Sequence, residues 1–297
     1  MPGDPAARLM ARISTQLRPE EIDAMRRVFG FSDAPIFAQY LEYLGHILQG
    51  DLGKSISRFP SPVTDVIGTG LFWTILLGAV ALVISFIVGN VLGIIGTWRR
   101  GGRIDSIMPP LLIFVGAFPY FWLAMVALYV LGFQLNLFPL RHAYANNLSR
   151  GFNLTFIGSV IRHLILPAGT IVLVSTGGWA LGMRNAMVST LSEDYVIYAE
   201  AKGLHQRRIM FNYAARNALL PAVTSLGISI GFILSGALLT EIVFSYPGLG
   251  FLLLSAVQNL DYPLLQGLLL MTTVAVLIAN FIVDIVYLWL DPRIRVR

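Results

Sequence analysis

The sequence predicts an all-α integral membrane protein, and three observations predict it. Hydrophobic residues make up 56% of the chain and charged residues only 12%, with a mean hydropathy of +0.72, far from the composition of a soluble globular domain. Five stretches hold the roughly 20 mostly apolar residues that a helix needs to cross about 30 Å of hydrocarbon. Lys and Arg gather in alternate connections between those stretches, which is the pattern that sets membrane orientation. With no cysteine, disulfides, thiolate metal sites and thiol nucleophiles are excluded. The net charge of +5 does not point to nucleic acid, because the basic residues lie mostly at the ends of apolar runs.

Taken in order, residues 1–70 read as an amphipathic, mostly helical segment. Pro19, Glu20 and Glu21 suit a helix start, where proline and acids are favoured. Tyr40, Leu41, Tyr43, Leu44, Ile47 and Leu48 recur at helical spacing. The expected spans are 71–98, 104–131, 161–183, 222–244 and 264–290. Pro109, Pro110, Pro119 and Pro167 are expected to kink or end the second and third.

Arg99, Arg100 and Arg103 follow the first span, and Arg184, Lys202, Arg207, Arg208 and Arg216 follow the third. Arg293, Arg295 and Arg297 close the chain, whereas the connection after the fourth span has no Lys or Arg. This alternation places the C-terminus and the connection after the third span in the cytoplasm. Five spans ending inside put residues 1–70 outside, with their seven Lys/Arg. A membrane helix ahead of Met1 is therefore expected, since the sequence shows no signal peptide or earlier apolar helix to carry them across; the alternative is that residues 1–70 stay cytoplasmic and the span count differs by one.

The third connection carries a polar cassette, "YAEAKGLHQRRIMFNYAARNALLP", residues 198–221. Ser192 ahead of Glu193 and Asp194 marks a helix start, and Gly203 interrupts the run where a left-handed turn suits glycine. Two short helices joined at Gly203 follow. Ile209, Met210, Tyr213 and Ala214 share one face of the second, while Gln206 and Arg207 lie towards another. Helices of about ten residues are marginal alone, so the pair needs a surface to pack on. A solvated loop of topology-setting charges would also account for the basic residues.

"DYVIYAEAKGL" followed by "RNALLPAVTSLG" resembles the EAA-type coupling segment in the membrane subunits of bacterial ABC importers, in the dipeptide/oligopeptide permease branch. "PGDP" at 2–5, "GDLGKS" at 50–55, "TEIVFSYPGLG" at 240–250, "DYPLLQG" at 261–267 and "DPRIR" at 291–295 resemble that branch in the same order. The resemblance implies a type I ABC importer transmembrane fold over 71–297, with a coupling segment over 186–221 and a first membrane helix before "PGDP". It implies a permease subunit that forms the translocation pathway for di- or oligopeptides. Related importers of the branch move oligosaccharides or nickel complexes. The implied partners are a second homologous permease, two cytoplasmic ATPase subunits, an extracytoplasmic solute-binding protein and the lipid bilayer. ATP and Mg would be bound by the ATPases, and this chain would hold no cofactor and catalyse nothing itself.

By the same resemblance, Ala199, Glu200, Ala201, Lys202, Gly203, Leu204, Arg207, Arg208, Ile209, Tyr213, Arg216, Asn217 and Pro221 carry coupling to the ATPase. Leu204, Ile209, Met210 and Tyr213 would supply its buried contact, and Arg207 and Arg208 its orientation. The position six before Gly203, a glutamate in the general family pattern, is Ile197. Gly231, Ser235, Glu241 and Asp284 are the candidates for the pathway or a gate. Glu241 and Asp284 could instead serve a stand-alone proton-coupled transporter, because an acid within a span is a functional candidate. For Asp284 a structural partner such as Arg184 or Asn185 is the favoured reading. "LQGDLGKS" falls one residue short of a phosphate-binding loop, since Leu48 stands where glycine is required. The histidines form no close metal-ligand pair.

Overall fold

A computed structural model of the chain describes residues 35–98, 102–236 and 238–290. The expected helix start at Pro19 and the terminal "DPRIR" lie outside the described residues. The helices in chain order are α1 (Ile36–Leu48), α2 (Val63–Trp98), α3 (Arg103–Gly116) and α4 (Tyr120–Ala127), the last running into a π-helical stretch, Leu128–Gln134. Then come α5 (Leu154–Thr190), α6 (Asp194–Ala201) and α7 (Gln206–Arg208), which runs through a π-helical stretch, Ile209–Ala215, into α8 (Arg216–Gly236). Finally come α9 (Leu238–Val243), α10 (Leu249–Asn259) and α11 (Tyr262–Leu290). Among the described residues the only β-type pairing is an isolated bridge between Lys54 and Pro62.

Among the described residues three helices are long and apolar enough to cross a membrane: Val63–Trp98, Leu154–Thr190 and Tyr262–Ile282. The pair Asp105–Gly116 and Tyr120–Gln134, bent by 89°, makes a fourth if taken as one span. The remaining expected span, 222–244, is helical on both sides of residue 237. Helix α2 begins at Val63, eight residues ahead of the expected start, because Val63, Val66 and Ile67 are buried and Asp65 sits in the first turn, where the helix dipole favours an acid. The prolines act unequally. Pro109 and Pro110 lie inside α3, and buried Pro167 lies inside the unbroken α5, where neighbouring helices can compensate a missing N–H. The sharp break comes at Pro119, which disfavours helical geometry at Phe118 before it.

The chain divides into two compact units. The first combines Met1–Thr74 with Pro247–Ala275. Its core joins Val63, Val66 and Ile67 of α2 to Leu249, Leu252 and Ala256 of α10 and Leu264 and Leu268 of α11. Helix α1 exposes Phe37, Tyr40, Leu41 and Leu48, while Tyr43, Leu44 and Ile47 are half-buried.

The second unit combines Ile75–Tyr246 with Val276–Arg297. Helix α5 is its hub, packing against α3, α4 and α8. It also meets α2 closely at Gly89 and Gly93. A methyl group at Gly89 would overlap the Trp179 side chain and lie 2.9 Å from the Thr176 carbonyl, and one at Gly93 would lie 2.6 Å from the Ala180 carbonyl. Only a residue without Cβ permits this approach, a packing mode common between membrane helices.

Candidate functional site

The polar cassette is built on the end of α5, in the second unit. After Thr190 the Leu191 N–H closes the helix onto the Met187 carbonyl at 2.9 Å. Ser192 does not cap α6: its hydroxyl donates back to the Ser189 carbonyl at 2.7 Å, and Glu193 takes the cap position with extended backbone and no side-chain bond. Asp194 supplies the acid of the first turn.

Helix α6 ends in a bonded left-handed turn. Gly203 has φ of +69°, its N–H donates to the Glu200 carbonyl at 2.8 Å, and the Leu204 N–H reaches the Ala199 carbonyl at 3.3 Å. This pair of bonds is the Schellman arrangement, which satisfies the last carbonyls and drops the following apolar residue back onto the helix. Leu204 and Ala199 accordingly share one core cluster. His205 then opens α7, its Nδ1 accepting from the Arg207 N–H at 3.3 Å.

Beneath the two helices lies a continuous apolar core: Val196 and Ala199 of α6 and Ile209, Met210, Ala214, Ala215 and Ala218 beyond the turn, packed on Ile94 of α2 and Met183 and Met187 of α5. Leu204 and Tyr213 complete it, half-buried. Leu204, Ile209, Met210 and Tyr213, expected to meet a partner, therefore pack against helices of their own chain. The π-helical stretch Ile209–Ala215 adds a residue to the turn and brings Ala215 and Ala218 onto the buried side as well.

The outer side of the cassette has a different composition. Glu200, Ala201, Lys202, Gly203, Arg207, Arg208, Arg216, Asn217 and Pro221 are exposed, and Asn217 only bonds back to the Tyr213 carbonyl. Along the same segment stand large apolar side chains that the sequence pattern did not single out for contact, among them Tyr198, 71% exposed, Ile197, 53%, and Phe211, 48%, with Leu220 and Tyr195 exposed as well. An open cleft at the cassette is lined by Trp98, Leu191, Ser192, Glu200 and Gln206.

Gly231 and Ser235 lie on α8 and Asp284 on α11, and their side-chain surroundings fall outside the described residues. Glu241 is fully buried, and its backbone carbonyl accepts the Tyr246 N–H at 2.8 Å. Burial, with the Glu241 charge in support, pushes the Tyr246 phenol well above its ordinary range. Arg184, considered a partner for Asp284, pairs with Asp105: its Nε and Nη2 both lie 2.9 Å from Asp105 Oδ1.

A second polar constellation, in the first unit, was missed. Asp261 is fully buried and its Oδ2 accepts from Ser55 Oγ at 2.5 Å, Ser57 Oγ at 2.7 Å and Ser57 N–H at 2.9 Å. Its Oδ1 accepts from the Leu264 N–H at 3.2 Å, so the same carboxylate caps α11. Burial lowers the Arg58 guanidinium from its ordinary value, and the Asp261 charge opposes that shift. The near-miss phosphate loop is thus committed to a carboxylate of its own chain. An aspartate directly ahead of a long apolar helix was the available signal.

The family described as binding-protein-dependent transport system inner membrane component matches residues 89–296. The chain belongs to this family. Its fold is that of a type I ABC importer permease, and the family is a component of transport systems in the inner membrane, not an enzyme family. The oligopeptide transport system permease protein of Bacillus subtilis (strain 168) is 34% identical over 99% of this chain and 90% of its own length. The dipeptide transport system permease protein of Escherichia coli (strain K12) is 34% identical over 99% and 91%, and the di/tripeptide transport system permease protein of Pseudomonas aeruginosa (strain UCBPP-PA14) is 33% identical over 99% and 90%. A crystal structure of an amino acid ABC transporter with histidines shares the fold, with a TM-score of 0.56 at 12% identity, covering 75% of this chain and 92% of that one.

Proposed function

We propose that this chain is a permease subunit of an ATP-driven importer of di- or oligopeptides, and that residues 186–221 couple it to a cytoplasmic ATPase. A second homologous permease, two ATPase subunits and an extracytoplasmic binding protein complete the assembly, with the C-terminus of this chain in the cytoplasm. ATP and Mg belong to the ATPases. The observation that carries the proposal is the two-sided cassette: its underside is sealed onto α2 and α5, while Tyr198, Ile197 and Phe211 stand exposed among charges. Exposed aromatic and aliphatic side chains ringed by polar groups are the composition of a contact centre, and the arginines supply orientation and encounter rate. The peptide cargo is supported by the three relatives, whose names are those of peptide permeases.

The test is uptake of a labelled dipeptide by proteoliposomes holding the full assembly. Uptake should require ATP and the binding protein, and Gly203→Pro, or charge reversal at Arg207 and Arg208, should leave membrane insertion intact while abolishing ATP-driven uptake. Proton-driven uptake by the permease without ATPases would overturn the proposal.

A further inference from the structure

The pairing of Asp105 with Arg184 joins parts of the chain that local sequence does not connect. Arg184 lies near the end of α5, one helical face along from Ala180, Met183 and Met187. That single stretch of α5 makes three contacts at once. Met183 and Met187 carry the cassette core. The Ala180 carbonyl, Met183 Cβ and the Arg184 backbone N–H press against Gly93 of α2. The Arg184 side chain crosses to Asp105 in the first turn of α3. A second close approach of α3 to α5 lies seven residues back, where a methyl at Gly177 would stand 3.1 Å from the Leu112 carbonyl. Helix α3 then ends at Gly116, and the chain bends by 89° into α4.

An acid in a first helical turn is ordinarily explained by the helix dipole. That explanation requires no partner, whereas Asp105 is only 12% exposed and meets two guanidinium nitrogens at 2.9 Å. Two charges this sheltered are costly to separate, because the one left behind is desolvated without compensation. The apolar contacts of α3 can slide; a charge-assisted hydrogen bond has one geometry.

We propose that Asp105 and Arg184 are positioning residues for transport: their ion pair locks the first half of the bent span to the α5–cassette body, so that a displacement of the cassette is delivered to the bend at Ala117–Pro119. The inference rests on the importer function proposed above. Displacing the cassette without this lock would let α3 lag behind α5, and nucleotide would be hydrolysed without moving the bent span.

The experiment uses the full assembly in proteoliposomes and reads three quantities: assembly by co-purification, ATP hydrolysis, and peptide taken up per ATP. Asp105→Asn should leave assembly and hydrolysis near wild type and lower uptake per ATP about tenfold, the size of coupling commonly found between paired charges. Asp105→Glu should retain most of the ratio, and the exchange Asp105→Arg with Arg184→Asp should restore much of what either single change loses. An unchanged ratio in Asp105→Asn overturns the inference, as does a parallel fall of assembly, hydrolysis and uptake that the exchange does not reverse. A wild-type assembly importing independently of ATP overturns the importer function and the inference with it.

Discussion

Two helix ends in this molecule make the same backbone turn and fill it with opposite chemistry. In the cassette, the Gly203 and Leu204 N–H groups return to the carbonyls of Glu200 and Ala199; at the end of α10, those of Leu260 and Asp261 return to Val257 and Ala256. The residue that swings back is Leu204 in the first case and Asp261 in the second. Leu204 joins an apolar core and leaves every charge of its segment outside. Asp261 carries its charge inside and gathers hydroxyl and N–H donors around it. A buried carboxylate fixes direction, because each donor must meet an oxygen, and it tolerates no loss of a partner. An apolar underside fixes position only, and frees the polar side for another molecule. Rigid placement of a loop calls for the first device, and presentation of a surface for the second.

The largest effect is expected at Asp261. Asp261→Ala takes the carboxylate acceptor from buried Ser55 and half-buried Ser57 and uncaps α11, a loss on the order of 4 kcal/mol, seen as a lower unfolding temperature in detergent and as proteolytic opening of residues 50–58. Binding of the ATPase through the cassette should not change. Ile209→Ala is the mirror case: it removes most of a fully buried side chain and should cost about 3 kcal/mol, with the proteolytic nick now appearing within residues 192–221. If both variants opened the same segment, the two regions would not be held by separate means.

Gly203→Ala sharpens the comparison at the turn itself. Nothing lies near a methyl there, but φ is +69°, so the cost is backbone strain alone, about 1 kcal/mol. Leu260 adopts φ of +52° with a full side chain, and tolerates it because the Asp261 network holds the turn from outside. The smallest effect is expected at Tyr198. Tyr198→Ala should move stability by less than about 0.5 kcal/mol, as for other surface changes, yet weaken co-purification of the ATPase.

Much of this was legible in the sequence. Composition and apolar runs give the membrane helices, and the cassette reads as helix, break, helix because the acid of the first turn, the left-handed freedom of Gly203 and 3.6-residue periodicity are all local signals, although Ser192 itself does not cap. What stayed hidden depends on residues far apart. Asp105 and Arg184 are separated by 79 positions, and Asp261 and Ser55 by 206; periodicity carries no information about such pairs. The helical wheel from Gln206 identified an apolar face correctly but could not say what it faces, and the π-helical stretch shifts Ala215 and Ala218 onto it. For the same reason Tyr198 and Phe211, unremarkable in composition, emerge as exposed only once the underside is seen to be occupied.

The cassette has one side sealed by its own chain and, in the function proposed, the other given to the ATPase. Because the chain contains no cysteine, single substitutions report cleanly: Tyr198→Cys and Met210→Cys are each placed in the otherwise unaltered permease and treated with a short thiol cross-linker in the assembled complex. The account predicts a cross-link from position 198 to the ATPase subunit and none from position 210. A cross-link from 210, with position 198 remaining free to react with a soluble thiol reagent whether or not the ATPase is bound, would contradict it.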